Sequence, residues 1–236
     1  MIALSKAAQR GSSSIIALAL AAAAVLLAPP ARAQAPGSVV ELDPIVVSAT
    51  GTPTPAREVA SSVTVVTAQE IEQQQRRTLP QALAAVPGLN IVQIGGPGGQ
   101  TSVFMRGTNS NHVKVLIDGI EANDPSTPNR SFDFGSMLTD DIERIEVLRG
   151  PQSGLYGANA IGGVISITTK RGEGPSRMTA RVEAGSHGTF NQAAGFSGGD
   201  DRFNYAFNVS HMRSDSTDSV PPDLIPPGVR VRPNAY

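Results

Sequence analysis

The sequence predicts an α+β chain in which strands dominate and helices are short. Three observations carry this. Residues 142–148 and 163–169 alternate apolar and polar positions, and Ile145, Val147, Val164, Ile165 and Ile167 are β-branched, so both runs read as strands around a glycine-rich loop. Two short stretches of helix formers, after Thr67 and after Thr78, carry their own start signals. After Arg171 the chain changes to runs that alternate along their whole length.

Composition narrows the function classes. The 236 residues carry a formal net charge of -1, which argues against a nucleic-acid binder with a basic face. There is no Cys, so no disulfide framework and no thiolate metal site exist. His112, His187 and His211 are scattered without a ligand pattern, and no residue set calls for a metal or a cofactor. Lys6 and Arg10 precede a short apolar run, residues 15–27, and Ala31-Arg32-Ala33 follows as a small-residue cleavage site. That is the three-part pattern of a secretory signal peptide over residues 1–33, and the run is shorter than the ~20 residues of a spanning helix.

In the exported part, residues 34–58 read as a linker holding one β-prone run, Ile45-Val46-Val47. An apolar extended segment between flexible flanks suits β-augmentation of a partner's sheet edge, with an ordinary first strand as the less favoured alternative. Gly51-Thr52-Pro53-Thr54-Pro55 is expected to be irregular. Residues 62–67 (SVTVVT) are a strand. Thr67 and Glu70 form a capping box for a helix, and Pro80 sits in the first turn of the next, whose Leu79, Leu83 and Val86 share a buried face before Pro87-Gly88 ends it. Residues 89–93 are a strand. The loop 94–102 (IGGPGGQTS) lacks the Lys of a phosphate-binding loop, and a strand-like run rather than a helix follows it. Residues 113–120 are a strand closed by the Asp118-Gly119 turn, and 121–132 is a polar surface loop. Ser153 to Tyr156 can form one helical turn.

Beyond Arg171, Met178, Ala180, Val182 and Ala184 alternate with Thr179, Arg181 and Glu183. Phe203, Tyr205, Phe207 and Val209 do the same, while in the middle run Gln192 interrupts the face of Phe190, Ala194 and Phe196. This is the dyad of transmembrane β-barrel strands, which soluble antiparallel sheets share. Residues 214–236, rich in proline, read as a long loop.

The stretch IERIEVLRGPQSGLYGANAIGGVISITTKR, residues 142–171, resembles the end of the plug domain of TonB-dependent outer-membrane receptors. Phe104-Met105-Arg106-Gly107, Val115-Leu116-Ile117-Asp118-Gly119 and the Leu83 to Gly88 segment resemble further plug motifs. The resemblance implies a mixed-sheet plug over 59–171 and the first strands of an antiparallel transmembrane β-barrel over 172–236. It also implies that Asp43, Pro44, Ile45, Val46, Val47, Ser48 and Ala49 are a TonB box, pairing with TonB. The loops 94–102 and 121–132 become apical plug loops, with Gln100, Ser102, Asn123, Ser126 and Asn129 facing the ligand. Arg106, Glu146 and Arg149 become candidate plug–barrel contacts. The wording of residues 107–123 and the short box look most like the cobalamin receptor branch, with ferric siderophore and haem receptors next. Outer-membrane lipid would surround the barrel.

Residues 172–236 have room for about three strands of roughly ten residues, against at least eight in the smallest barrels. The expectation is therefore the N-terminal part of a receptor, truncated after the opening of its barrel. The competing expectation is a soluble periplasmic plug-like binding module without transport. An exported hydrolase is a third class, but Asp140, Asp141, Glu143 and Glu146 lack any nucleophile or base motif and read as a turn with charge pairs, not an enzyme centre.

Overall fold

A computed structural model describes residues 45–46, 51–58, 62–200 and 202–215, all within one unit that begins at Asp43. The expected signal peptide, Asp43, Pro44, Val47, Ser48 and Ala49 of the expected box, and the expected loop from residue 216 onward lie outside the described residues.

The centre is a five-stranded mixed sheet in the order β3 (Ser62–Thr67), β8 (Ile142–Arg149), β9 (Gly163–Thr169), β6 (Val113–Ile117), β7 (Ile120–Glu121). Only β6 and β9 run parallel. The other pairs are antiparallel, and a bulge between Ile142 and Arg144 shifts the β8–β9 register. Both organising strands thus form as the sequence predicts. They sit centrally, and residues 145–148 are buried on both faces because each face is covered by other chain.

On one face, Ile145, Val147, Val115, Ile165 and Ile167 pack against α1 (Ala68–Gln73), α2 (Leu79–Leu83) and the hairpin of β4 (Leu89–Gln93) with β5 (Thr101–Met105). Burying sixteen apolar side chains is the main drive for this layer. Thr67 and Glu70 close the expected capping box on α1, with the Thr67 amide donating to Glu70 at 2.8 Å. Leu79, Leu83 and Val86 are buried as expected. The opposite face carries a smaller cluster of Leu116, Leu148, Ala160 and Val164.

Three antiparallel strands, β10 (Arg177–Ala184), β11 (Phe190–Gly199) and β12 (Asn204–Arg213), form a separate sheet. Its register aligns Met178, Phe196 and Phe207 in one outward stripe, with exposures of 81%, 48% and 66%. Arg181, Glu183, Asn191 and Asn208 point the other way, towards the mixed sheet and its helices. The apolar-out, polar-in dyad is the one a barrel wall requires. Asp200 accepts from the amides of Arg202 and Phe203, both at 2.8 Å, to make the β11–β12 turn. Ser214 turns back onto the β10–β11 hairpin, its hydroxyl 3.0 Å from that of Thr189.

Residues 51–55 are corrected by the structure. Thr54–Pro55 is a two-residue strand (β2) paired with Ile45–Val46 (β1). Proline is tolerated because this is an edge pair with no third strand needing its missing amide donor.

Candidate functional site

Two loops meet at one end of the mixed sheet. The first joins β4 to β5 and closes on itself, with the Ile94 amide donating to the Gln100 carbonyl at 2.9 Å and Gln93 Nε2 to the Gly96 carbonyl at 2.9 Å. The second runs from β7 towards β8. Asp133 Oδ1 accepts from the Thr101 amide at 2.8 Å and from the Gly135 amide at 2.9 Å, and the Phe134 amide donates to the Thr101 carbonyl at 3.1 Å. Gly135 lies so close to the Gly99 carbonyl that a Cβ has no room there. The loops are therefore stitched together rather than loosely apposed. Phe132 and Phe134 pack edge to face at 4.8 Å and anchor the second loop to the core.

Between the loops lies a cavity of about 320 Å³, and Gln100, Ser102 and Asn129 line it together with Asp124 and Asp133. Asn123 and Ser126 have a different place. Asn123 Oδ1 accepts from the Val115 amide at 2.8 Å, and its Nδ2 donates to the Val113 and Arg130 carbonyls at 3.2 and 3.1 Å. Its amide group braces the loop. The Ser126 hydroxyl donates to Asp124 at 2.7 Å and its amide does so at 2.8 Å. Those two bonds, the hydroxyl first, hold the Asp124 carboxyl below its ordinary range.

At the opposite cluster of the mixed sheet, Val46 is fully buried beside Leu116, Leu148, Ala160 and Val164, while Ile45 on the other side of β1 is 53% exposed. The segment expected to be free for a partner's edge is thus engaged at these two residues, because the apolar Val46 side chain fills a pocket that would otherwise be wet. Burial, and then the charge of Glu146, raise the nearby Tyr156 phenol above its ordinary value.

Of the three expected plug–barrel residues, Glu146 and Arg149 have partners within the mixed-sheet unit. Glu146 is buried and pairs with Arg144 at 2.9 Å on the same strand. Arg149 donates to the Pro87 carbonyl at 2.6 Å and to Thr64 Oγ1 at 2.9 Å. Arg106 is exposed, with a left-handed φ of 49°, and its guanidinium lies beside Gly150. Side chains not singled out for this role make the described contacts with β10–β12. Arg77 grips Glu183 with two nitrogens, Arg181 pairs with Asp140, and Asn208 Nδ2 donates to Asp141 at 2.6 Å. Lys170 Nζ adds a bond to the Asp140 carbonyl at 2.8 Å. A signal existed: the acidic turn Asp140-Asp141 reads as charge pairs, and Arg181 and Glu183 sit on the polar side of their strand. Among the described residues, no His, Asp and Glu group gathers as a metal site.

Comparison with known proteins matches residues 55–164 to the TonB-dependent receptor plug domain. The chain is 40% identical over 144 residues to the vitamin B12 transporter BtuB of Vibrio vulnificus, a match covering 61% of this chain and 23% of that protein. Among solved structures, the siderophore receptor PiuA of Acinetobacter baumannii aligns over 70% of this chain and 22% of its own, with a TM-score of 0.57 and 26% identity. The ferripyoverdine receptor of the outer membrane of Pseudomonas aeruginosa shares the fold, with a TM-score of 0.62 over 73% of this chain and 23% of its own at 19% identity. The chain spans about a quarter of the length of these relatives. Through residues 55–164, on the central mixed sheet with its two stitched loops, this chain carries the plug domain of the TonB-dependent receptor family.

Proposed function

We propose that the chain supplies the plug, the TonB-coupling segment and the first barrel strands of a receptor that takes up a scarce nutrient complex across the outer membrane. The observation that carries this is the 40% identity over 144 residues to a vitamin B12 transporter, together with the plug match over 55–164. Cobalamin is the favoured ligand on that identity, and a ferric siderophore is next, on the likeness to PiuA. Haem follows. The relatives are transporters and receptors by name, which supports a non-enzymatic role.

In this reading residues 43–49 are the TonB box, and pairing with TonB draws the box away from the plug. Gln100, Ser102 and Asn129 contact the ligand, while Asn123 and Ser126 act by holding the loop in shape. Arg106, Glu146 and Arg149 are proposed to tune how the plug seats against the remainder of the barrel. The polar seam to β10–β12 supports a plug that can move, since polar contacts exchange with water at small net cost.

The test is uptake by cells expressing the receptor that carries these residues. Labelled cyanocobalamin should accumulate only with TonB present, and deletion of 43–49 should abolish accumulation while surface binding persists. Accumulation indifferent to TonB and to the deletion sinks the proposal. A soluble plug-like binding module is the other reading, and recovery of the protein in the periplasmic fraction would favour it.

A further inference from the structure

We infer that the apical cavity between the two stitched loops selects against anionic ligands and takes an uncharged one rich in amides or hydroxyls, with Asp124 and Asp133 as the specificity-determining residues. This rests on the reading of the cavity as the ligand face of an uptake receptor.

The lining carries the argument. Gln100 and Asn129 present amides, and Ser102 and Ser131 present hydroxyls, so donors and acceptors of both kinds face the space. The charged side chains among the described lining residues are two carboxylates, Asp124 and Asp133, with no Lys, Arg or His beside them. Neither carboxylate can swing away without cost. Asp124 is held by the amide and hydroxyl of Ser126, and Asp133 by the amides of Thr101 and Gly135 that join the two loops. The Ser126 hydroxyl and amide bonds favour the ionised form of Asp124 and hold its carboxyl below the ordinary range. Arg130, the nearest cation in the loop sequence, is exposed with a left-handed backbone at φ 48° and does not line the cavity.

A ferric tris-catecholate carries net negative charge and is recognised through Arg or Lys. Here it would meet two fixed like charges, a repulsive device of the kind that sets specificity. An uncharged, amide-bearing ligand meets only partners it can satisfy.

The test compares two probes on the purified full-length receptor: cyanocobalamin, uncharged and amide-rich, and ferric enterobactin, net anionic. Wild type is expected to prefer cyanocobalamin by at least about tenfold. Asp124→Asn and Asp133→Asn keep the acceptor oxygens that hold the loops. Together they should raise the ratio of ferric enterobactin to cyanocobalamin affinity by about tenfold, and more at low ionic strength. If the double variant fails to fold, Asp124→Asn alone decides, with about a threefold rise expected, because its carboxylate bonds only Ser126. An unmoved ratio, or a wild type that prefers ferric enterobactin, overturns the selectivity inference while leaving uptake intact. A wild type that binds neither probe overturns this inference and the cobalamin assignment, and TonB-dependent accumulation then decides the uptake reading separately.

Discussion

Gly163 opens β9 where the sheet is most crowded. Its φ is +150°, and a Cβ there would collide with the Leu148 carbonyl and the Met105 sulfur. One obstacle is backbone of the neighbouring strand, so relief requires moving β8 itself. Gly163→Ala should lower stability by about 2–4 kcal/mol, read as a drop in the unfolding midpoint of the full receptor's plug. Tyr156 offers a pH test. Burial and the Glu146 charge raise its phenol above the ordinary value of 10.0. Below that value both folded and unfolded states are protonated and pH has no effect through this group. As pH rises through it, the unfolded chain loses the proton first and gains stability, so the fold weakens. Tyr156→Phe should remove this part of the alkaline loss, measured as a smaller shift in denaturant midpoint between about pH 9 and about pH 11. A shift equal to wild type would show that the phenol does not report this environment.

Two residues of β1 hold the proposed TonB-coupling segment to the sheet. Ile45 and Val46 pair with Thr54 and Pro55, and the buried Val46 side chain supplies most of the attachment. So short a pairing is weak by itself, which suits a segment proposed to leave when TonB pulls. Val46→Asp places a charge where only apolar groups and a fully buried position await, at a cost of several kcal/mol if it stayed docked. The segment should instead detach. Limited proteolysis of the receptor should then cut near residues 43–53 at least about tenfold faster than in wild type, with the mixed sheet intact. An unchanged cleavage rate would place the attachment elsewhere. The helices tell the opposite story about local information. Thr67 with Glu70, and Pro80 in the first turn, lie within three residues of the helix starts they specify, so these elements were legible without knowing their neighbours.

Across the whole molecule, the mixed sheet and the β10–β12 sheet are joined by charge. Arg77 with Glu183 and Arg181 with Asp140 link residues more than forty positions apart, beside a gap of about 280 Å³ lined by Arg77, Asp140, Lys170, Arg181 and Asn208. A double-mutant cycle on Arg77→Ala and Glu183→Ala should give a coupling of about 1–2 kcal/mol in receptor unfolding, shrinking as salt is added. Additive single effects would mean that the pair holds nothing together. These links could not be read from spacing, because a long-range partner is chosen by topology. The acidic turn, the outward Met178–Phe196–Phe207 stripe and the polar inner side were each visible, yet nothing local says which polar side chain meets which.

The longer strands, the helix starts, the turns and the alternation after Arg171 were legible in the sequence, because each depends on a period or a cap only a few residues long; the Thr54–Pro55 strand was not, because it forms only by pairing with β1. The tertiary structure decided where those elements went. It seated Val46 in a pocket, turned Asn123 inward as a brace, gave Glu146 and Arg149 partners inside the plug unit, and brought Gln100, Ser102 and Asn129 around one cavity with two carboxylates. Each of those outcomes depends on which surfaces the sheet leaves to be covered, and that is a property of the assembled molecule.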